Sequence, residues 1–215
     1  MNAQQHQQAS GHYHFCEATP ENGDLNQYWY SPPTVSALVQ EVEAQQTQTC
    51  GTWNGETANP EFGGMRRTAF LSTPSLYFSL TRAEVQGNSK FFDIDSQWAG
   101  HPGFVQFDFR KPEAIPQEER GAYDMVVIDP PFITEEVWSQ YATAASMLLR
   151  QGGGGRLLLS TVAENLEMLR RVFNEPRLVP LPFKPSIPHL VYQYDLFANF
   201  PVAVLSEKNP EILED

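Results

Sequence analysis

Short apolar runs alternate with helical stretches along most of the chain. Five runs have the length of buried strands and are separated by turns or helical segments: residues 68–71, 90–95, 104–109, 124–129 and 156–160. The fourth run is almost continuously apolar, which is typical of a parallel strand covered on both faces. This alternation predicts an α/β fold built on a mostly parallel sheet.

Helical periodicity is present in three places. The first extends over residues 33–46, where four apolar side chains share one face: Val35, Leu38, Val39 and Val42. A second helix is predicted over residues 134–150, with Thr134 as its N-cap. Thr161 and Glu164 have the spacing of a capping box, so we expect a third helix directly after the fifth strand.

The remaining segments have little apolar periodicity. Residues 1–24 are rich in Gln, His, Asn and Gly, and they predict a flexible arm. Residues 47–67 are rich in Thr, Gly, Asn and Pro, which predicts either disorder or a lid. Residues 177–200 contain two strand patterns around a proline-bounded turn at 185–188, so we expect an antiparallel hairpin at the sheet edge.

Composition narrows the class of partner. The chain has 215 residues, 41% hydrophobic and 19% charged, as expected for one globular domain. It contains 14 Lys and Arg against 26 Asp and Glu, for a formal net charge of −12. Repulsion of polyphosphate therefore disfavours nucleic acid as a partner, and the same field favours a basic protein surface.

The cysteines and the hydropathy pattern bear on the compartment. Cys16 and Cys50 form no C-x-x-C pair, which fits a reducing compartment and leaves a disulfide between them open. The residues after Met1 lack the basic start and apolar run of a secretory signal, and no 18 consecutive residues are apolar. We therefore expect a soluble, cytoplasmic protein. No histidine spacing completes a metal site, so we expect no metal.

Side chains that could bind a ligand follow the predicted strands, beyond whose carboxyl ends the crevice of an open α/β sheet lies. Four turn residues follow the first strand: Ser72, Thr73, Pro74 and Ser75. Asp93 and Asp95 end the second strand and Asp108 ends the third, where carboxylates could accept from ribose hydroxyls and from an exocyclic amine of an adenosine ligand. Asp95 is preferred for the ribose because it is nearer the turn. Asp93 is not excluded. Each acid, taken alone, is more often a solvated turn residue.

Four residues after the fourth strand carry the clearest chemistry: Asp129, Pro130, Pro131 and Phe132. Two consecutive prolines restrict φ and lack N–H groups, which leaves nearby carbonyls free to accept from a ligand. With the Asp129 carboxylate they form an acceptor-only cluster, suited to an amine whose lone pair faces an electrophile. Phe132 would add an apolar wall. By spacing alone, the same residues could simply end a strand before the next helix.

A dense aromatic group precedes the first helix: Gln27, Tyr28, Trp29, Tyr30 and Ser31. These side chains could clamp a ligand. They could equally pack the helix onto the core, and packing is the more common role of such rings.

Together these motifs resemble a known family. Residues 129–132 resemble the Asp-Pro-Pro-aromatic motif of S-adenosylmethionine-dependent methyltransferases that modify amino nitrogens. The wider order of blocks resembles the eukaryotic elongation factor 1-alpha lysine methyltransferase family, first described as adenine-N6 methyltransferase-like. The blocks are residues 27–31, 70–77, 92–95, 107–109, 123–132 and 192–200.

The resemblance implies a Rossmann-like, seven-stranded methyltransferase domain over residues 25–200, followed by a tail of residues 201–215. It implies S-adenosylmethionine as the donor, a lysine of elongation factor 1-alpha as the acceptor, and a monomeric enzyme. The implied catalytic residues are Asp129, Pro130, Pro131 and Phe132. The implied cofactor-binding residues are Tyr30, Ser31, Ser72, Thr73, Pro74, Ser75, Asp93, Asp95, Asp108 and Asp129. Two alternatives remain: transfer to an adenine amino group in nucleic acid, and a catalytically silent binding module.

Overall fold

The computed structural model describes residues 14–47, 65–152 and 154–212. The strands are β1 (Thr68–Leu71), β2 (Ser89–Asp93), β3 (Phe104–Gln106), β4 (Met125–Ile128), β5 (Arg156–Thr161), β6 (Val179–Pro180) and β7 (Asp195–Ala198). They form one sheet in the order β3-β2-β1-β4-β5-β7-β6. The first five are parallel, whereas β7 is antiparallel to both β5 and β6. The expected α/β fold, a seven-stranded and mostly parallel sheet with a C-terminal antiparallel hairpin, is confirmed.

Helices flank this sheet. They are α1 (His14–Ala18), α2 (Pro32–Thr47), α3 (Pro74–Phe78), α4 (Ala83–Gly87), α5 (Glu135–Leu148) and α6 (Leu166–Val172). The helices predicted over residues 33–46 and 134–150 are thus confirmed, and the Thr134 hydroxyl accepts from the Val137 N–H as the predicted N-cap. No described helix has the length and apolar content needed to cross a bilayer.

Along every strand except β6, whose two residues are exposed, successive residues point into two different hydrophobic cores. On β4, Met125 and Val127 pack on the face that α2 covers, and Val126 and Ile128 pack on the opposite face with α5. Trp138 of α5 is fully buried on that second face. This period of two, with both faces covered, is why the strands are almost continuously apolar.

The predicted flexible arm is wrong for residues 14–24, which contain α1 and a 3-10 turn, Gly23–Leu25. The Phe15 ring lies 5.6 Å from that of Trp29, 5.1 Å from that of Phe78 and 5.6 Å from that of Trp98, measured between centroids. Composition alone does not reveal this aromatic pocket. Residues 1–13, and residues 48–64 of the predicted loop or lid, lie outside the described residues.

The predicted capping box after the fifth strand is also wrong. Thr161 is the last residue of β5 and pairs with Asp195 of β7, so the sheet extends through it. Its hydroxyl accepts from the Asn165 amide at 2.9 Å. Asn165 ends a 3-10 turn, Ala163–Asn165, and α6 begins only at the next residue.

The segment after β7 packs onto the domain, so the expected boundary at residue 200 does not mark the end of the packed chain. The carboxylate of Glu41, on α2, is fully buried and accepts from the backbone N–H groups of Ala203, Val204 and Leu205 at 2.9, 2.6 and 3.2 Å. The Leu205 side chain is fully buried in the core on the α2 face. One helix carboxylate therefore holds three successive backbone donors of the C-terminal segment.

Candidate functional site

A cleft opens at the carboxyl ends of β1, β2 and β4. It encloses about 710 Å³, a volume that includes the open solvent at its mouth. Turn residues after these three strands line it. Two further segments line it from distant parts of the sequence, and we call them the N-terminal strap (residues 21–29) and the C-terminal strap (residues 187–194).

All four predicted residues of the turn after β1 line this cleft: Ser72, Thr73, Pro74 and Ser75. Ser72 adopts a φ of 56°, a left-handed conformation that is uncommon outside glycine. Its N–H donates to the Phe92 carbonyl at 2.9 Å, and its hydroxyl hydrogen-bonds that of Tyr141 at 2.6 Å. The Thr73 hydroxyl is buried without a protein partner, so it is available to a ligand.

Asp129 lies at the end of β4 and lines the cleft. The residue is partly exposed to the cleft, but protein surrounds its carboxylate. Burial raises the pKa of this carboxyl to about 7, and the adjacent Tyr30 hydroxyl offsets part of the rise.

Tyr30 and Ser31 do not line the cleft, in contrast to the implied cofactor contacts. Tyr30 is buried beside Asp129, and burial and that carboxylate together raise its pKa well above the ordinary value. The Ser31 hydroxyl donates to Glu211 at 2.5 Å, and its oxygen lies 3.0 Å from the Thr34 hydroxyl. Tyr30 thus positions Asp129, and Ser31 anchors the start of α2.

The carbonyls near the proline pair after Asp129 were expected to be free, but one of them accepts a hydrogen bond within the protein. Pro130 and Pro131 line the cleft, but the side-chain amide of Asn26, on the N-terminal strap, donates to the Pro131 carbonyl. Within the described chain, no donor reaches the carbonyl oxygens of Asp129 or Pro130. Two acceptors therefore remain for a ligand beside the carboxylate.

Phe132 does not form the expected wall. Its side chain is 51% exposed, and the residue does not line the cleft. The ring instead lies outside the opening, next in sequence to Pro131.

Asp93, and not the preferred Asp95, lines the cleft. Asp93 is buried, which raises the pKa of its carboxyl to about 6, although N–H groups of Asp95 and Ile94 donate to it. Asp95 has turned away to accept from the Gln97 N–H at 3.0 Å as the cap of the next turn. The local cap explains why the acid nearer the turn is not the one that faces the ligand.

Asp108 also lies outside the cleft lining. Both its oxygens accept from the Arg110 guanidinium at 2.8 Å, which holds the pKa of the Asp108 carboxyl below its usual range. The predicted contact with an adenine amine remains a prediction.

The C-terminal strap supplies cleft residues that the sequence patterns did not single out: Ile187, Leu190 and Tyr194. Burial raises the pKa of the Tyr194 hydroxyl, and the Asp129 charge raises it further. His189 of this strap contacts Glu21 of the N-terminal strap, Nδ1 to Oε2, at 2.7 Å. The other Glu21 oxygen accepts from the Trp29 N–H at 2.8 Å, so one carboxylate joins the two straps.

Among the described residues, no three His, Cys, Asp or Glu side chains lie close enough together to bind a metal ion. The chemistry of the cleft is that of two carboxylates, backbone acceptors, hydroxyls and aromatic rings. Such a set can hold a polar ligand with hydroxyl, amino or cationic groups.

The chain is similar in sequence to proteins named as lysine methyltransferases. The chain is 32% identical over 146 residues to EEF1A lysine methyltransferase 1 of Bos taurus, covering 66% of this chain and 56% of that protein. It is 24% identical over 197 residues to protein-lysine N-methyltransferase EFM5 of Saccharomyces cerevisiae, covering 84% of this chain and 72% of that protein. The chain thus spans little more than half the length of the bovine relative.

A solved structure shares the fold. The branched-chain polyamine synthase of Thermus thermophilus, in complex with N4-aminopropylspermidine and 5'-methylthioadenosine, superposes with a TM-score of 0.59 at 15% identity. The likeness covers 92% of this chain and 63% of that one. A family model described as probable N6-adenine methyltransferase matches residues 21–202. This match covers most of the chain and confirms the resemblance seen in the six sequence blocks: the protein belongs to that family.

Proposed function

We propose that the protein transfers methyl groups from S-adenosylmethionine to a lysine of translation elongation factor 1-alpha. The observation that carries the proposal is the presence of two carboxylates, the buried Asp93 and the half-buried Asp129, in one cleft at the ends of β2 and β4, the two parallel strands that flank β1. The names of the bovine and yeast relatives support lysine as the acceptor, and the bovine name supports the elongation factor.

The cleft residues fit the proposed donor. Asp93 offers carboxylate oxygens to the ribose hydroxyls at the end of β2, the position where dinucleotide-binding folds place such an acid. The buried, unpartnered Thr73 hydroxyl offers a further hydrogen bond. The donor supplies a methyl group on a cationic sulfur, and a positive charge in this cleft favours the ionised forms of Asp93 and Asp129.

The cleft also fits a lysine acceptor. The Asp129 carboxylate and the carbonyls of Asp129 and Pro130 can accept from the two N–H groups of a neutral amine, which orients its lone pair away from them. Lysine is an ammonium at neutral pH, with a reference pKa of about 10.4. A partly apolar site that also holds the donor's positive charge disfavours the ammonium, so the lysine releases its proton to solvent water before the amine attacks the methyl group.

The test is the intact mass of unmethylated elongation factor 1-alpha after incubation with this protein and S-adenosylmethionine. Methyl-sized increments that require both components are the expected result. A DNA or RNA oligonucleotide rich in adenine serves as the parallel acceptor. Transfer to the oligonucleotide alone would move the assignment to adenine, and binding of the donor without transfer to either would indicate a silent module.

Asp93 and Asp95 form a matched pair for testing the donor site. Replacing Asp93 by alanine is expected to weaken S-adenosylmethionine binding by about 10- to 100-fold, because hydrogen bonds to a charged acceptor contribute about 1.5–3 kcal/mol. Replacing Asp95 by alanine removes only the cap of the following turn and should change the affinity less than about threefold. Titration calorimetry measures both. A larger loss for the Asp95 variant would contradict the assignment.

A further inference from the structure

Large apolar side chains are exposed at few places in the described residues, and most of these places surround the cleft. Six such side chains are more than a third exposed: Tyr28, Ile94, Phe132, Val179, Val191 and Tyr192. Val191 is 91% exposed and Tyr192 67%. All except Val179, which lies on the edge strand β6, belong to segments that line the cleft.

The positions of these five residues relative to the opening follow from their neighbours. Tyr28 and Ile94 line the cleft themselves. Phe132 directly follows the lining residue Pro131, and Val191 and Tyr192 lie between two residues of the C-terminal strap that line the cleft. We call these five the apolar rim. Three of them, Phe132, Val191 and Tyr192, flank the cleft without lining it, so a small molecule inside would leave them uncovered.

A clustered set of exposed apolar side chains marks an interaction surface more often than scattered ones do. Here the cluster is continuous with the cleft. The two straps that carry Tyr28, Val191 and Tyr192 are joined by the contact of His189 with Glu21, which presents both sides of the opening together. The rim therefore forms one surface around the opening when the two straps are in contact.

The charges around the rim define its partner. The segments that form the cleft contain five acidic residues and no lysine or arginine. These segments are residues 21–29, 72–75, 93–95, 129–132 and 187–194. The acids are Glu21, Asp24, Asp93, Asp95 and Asp129, of which Asp93 is buried in the cleft and the other four are exposed or half-buried. A surface with this charge attracts a cationic polypeptide and repels the phosphates of a nucleic acid.

We propose that the apolar rim is the docking surface for the protein acceptor, and that it receives a basic segment with an apolar side chain close to the lysine that enters the cleft. The identity of the acceptor as elongation factor 1-alpha rests on the proposed function. Contact with the rim excludes water from the opening while the acidic residues attract the surrounding positive charge.

The experiment compares two surface variants of the full chain. One carries Val191→Ser together with Tyr192→Ser, and the control carries Val179→Ser on the edge strand β6, outside the segments that line the cleft. All three positions are exposed, so both variants should fold. Affinity for purified elongation factor 1-alpha is measured by biolayer interferometry. The double variant is expected to bind about tenfold or more weakly than the parent protein, because interface anchors of this kind carry much of the binding energy. The control should bind as the parent does.

Donor affinity is measured for the same proteins by calorimetry, and it should be equal in all of them because Val191 and Tyr192 do not line the cleft. Equal acceptor affinities for parent and double variant would overturn the docking proposal, as would an equal loss in the control or the absence of a complex with the parent. Methyl transfer is scored separately. Transfer that does not depend on the rim overturns the docking surface alone, whereas a rim-dependent complex without transfer overturns the proposed function alone.

Discussion

Replacing Asp129 by alanine is expected to lower kcat for methyl transfer by at least about 100-fold, because a misplaced reacting group can cost that much. The variant loses the carboxylate that would hold the acceptor amine beside the two remaining backbone carbonyls. Asp129→Asn keeps an oxygen that can accept, so it should retain activity within about tenfold of the parent. Steady-state rates with saturating donor separate these outcomes. An alanine variant within about threefold of the parent would exclude Asp129 from positioning the amine.

The pH profile gives this prediction a second readout. The Asp129 carboxyl has its pKa raised to about 7, so the carboxylate becomes available as an acceptor as pH rises through that value. The parent enzyme should therefore show a limb of rising kcat/KM near pH 7 that the asparagine variant lacks. Identical profiles for the two proteins would show that ionisation of Asp129 has no part in the reaction.

Stability measurements distinguish lost chemistry from lost folding in these variants. A carboxyl with a raised pKa binds its proton more tightly in the folded protein than in the unfolded chain. Its contribution to stability is fully present below the unfolded pKa and is lost as pH rises through about 7. Asp129→Asn removes this loss, so the variant should be more stable than the parent at pH 8, as judged by urea denaturation.

Replacing Glu41 by alanine is expected to destabilise the fold by about 3–5 kcal/mol, because each buried N–H group that loses its acceptor costs about 1–3 kcal/mol. The substitution leaves the N–H groups of Ala203, Val204 and Leu205 without their acceptor. It also leaves a cavity in α2 where the side chain was fully buried. Urea denaturation followed by circular dichroism measures the change.

A matched control lies on the same helix. Gln40 is exposed and bonds only to Ser36 one turn earlier, so Gln40→Ala should change stability by less than about 0.5 kcal/mol. Glu41→Gln retains an acceptor oxygen and should fall between the two. A loss below about 1 kcal/mol for Glu41→Ala would show that the C-terminal segment is held by its apolar contacts and not by this carboxylate.

Much of the sheet could be predicted because its information is local. An apolar run such as Met125–Ile128 can be stable only when both faces are covered, and the parallel arrangement then brings the residues that follow each strand to one edge. This is why the turn after β1 and the acid after β4 were predicted to lie together. The preference for Asp95 as the ribose ligand stays a prediction, although Asp93 is the acid that lines the cleft. Both Asp95 oxygens accept from Gln97, one from its N–H and the other from its side-chain amide, and the sequence pattern does not reveal these contacts.

The rest of the site depends on contacts that no local pattern encodes. The side-chain amide of Asn26 donates to the Pro131 carbonyl, although the two residues are 105 positions apart in the sequence. The proline pair was predicted to leave that carbonyl free. Phe132 is exposed although an aromatic residue at that position predicts a wall. Tyr194 lines the cleft only because the hairpin returns the chain to the sheet.

The contact between the two straps also affects the stage of folding at which the cleft forms. The contact between Glu21 and His189 closes a loop of 168 residues, whereas the strands that meet beneath the cleft are much closer in sequence. Closing the longer loop costs more chain entropy, and few buried apolar contacts offset that cost at the exposed His189. The sheet can therefore persist while the straps open, so amide hydrogens of the straps should exchange faster than those of β4. We therefore expect the cleft to open more readily than the sheet beneath it. The cleft is complete only after the N-terminal strap and the C-terminal strap have met.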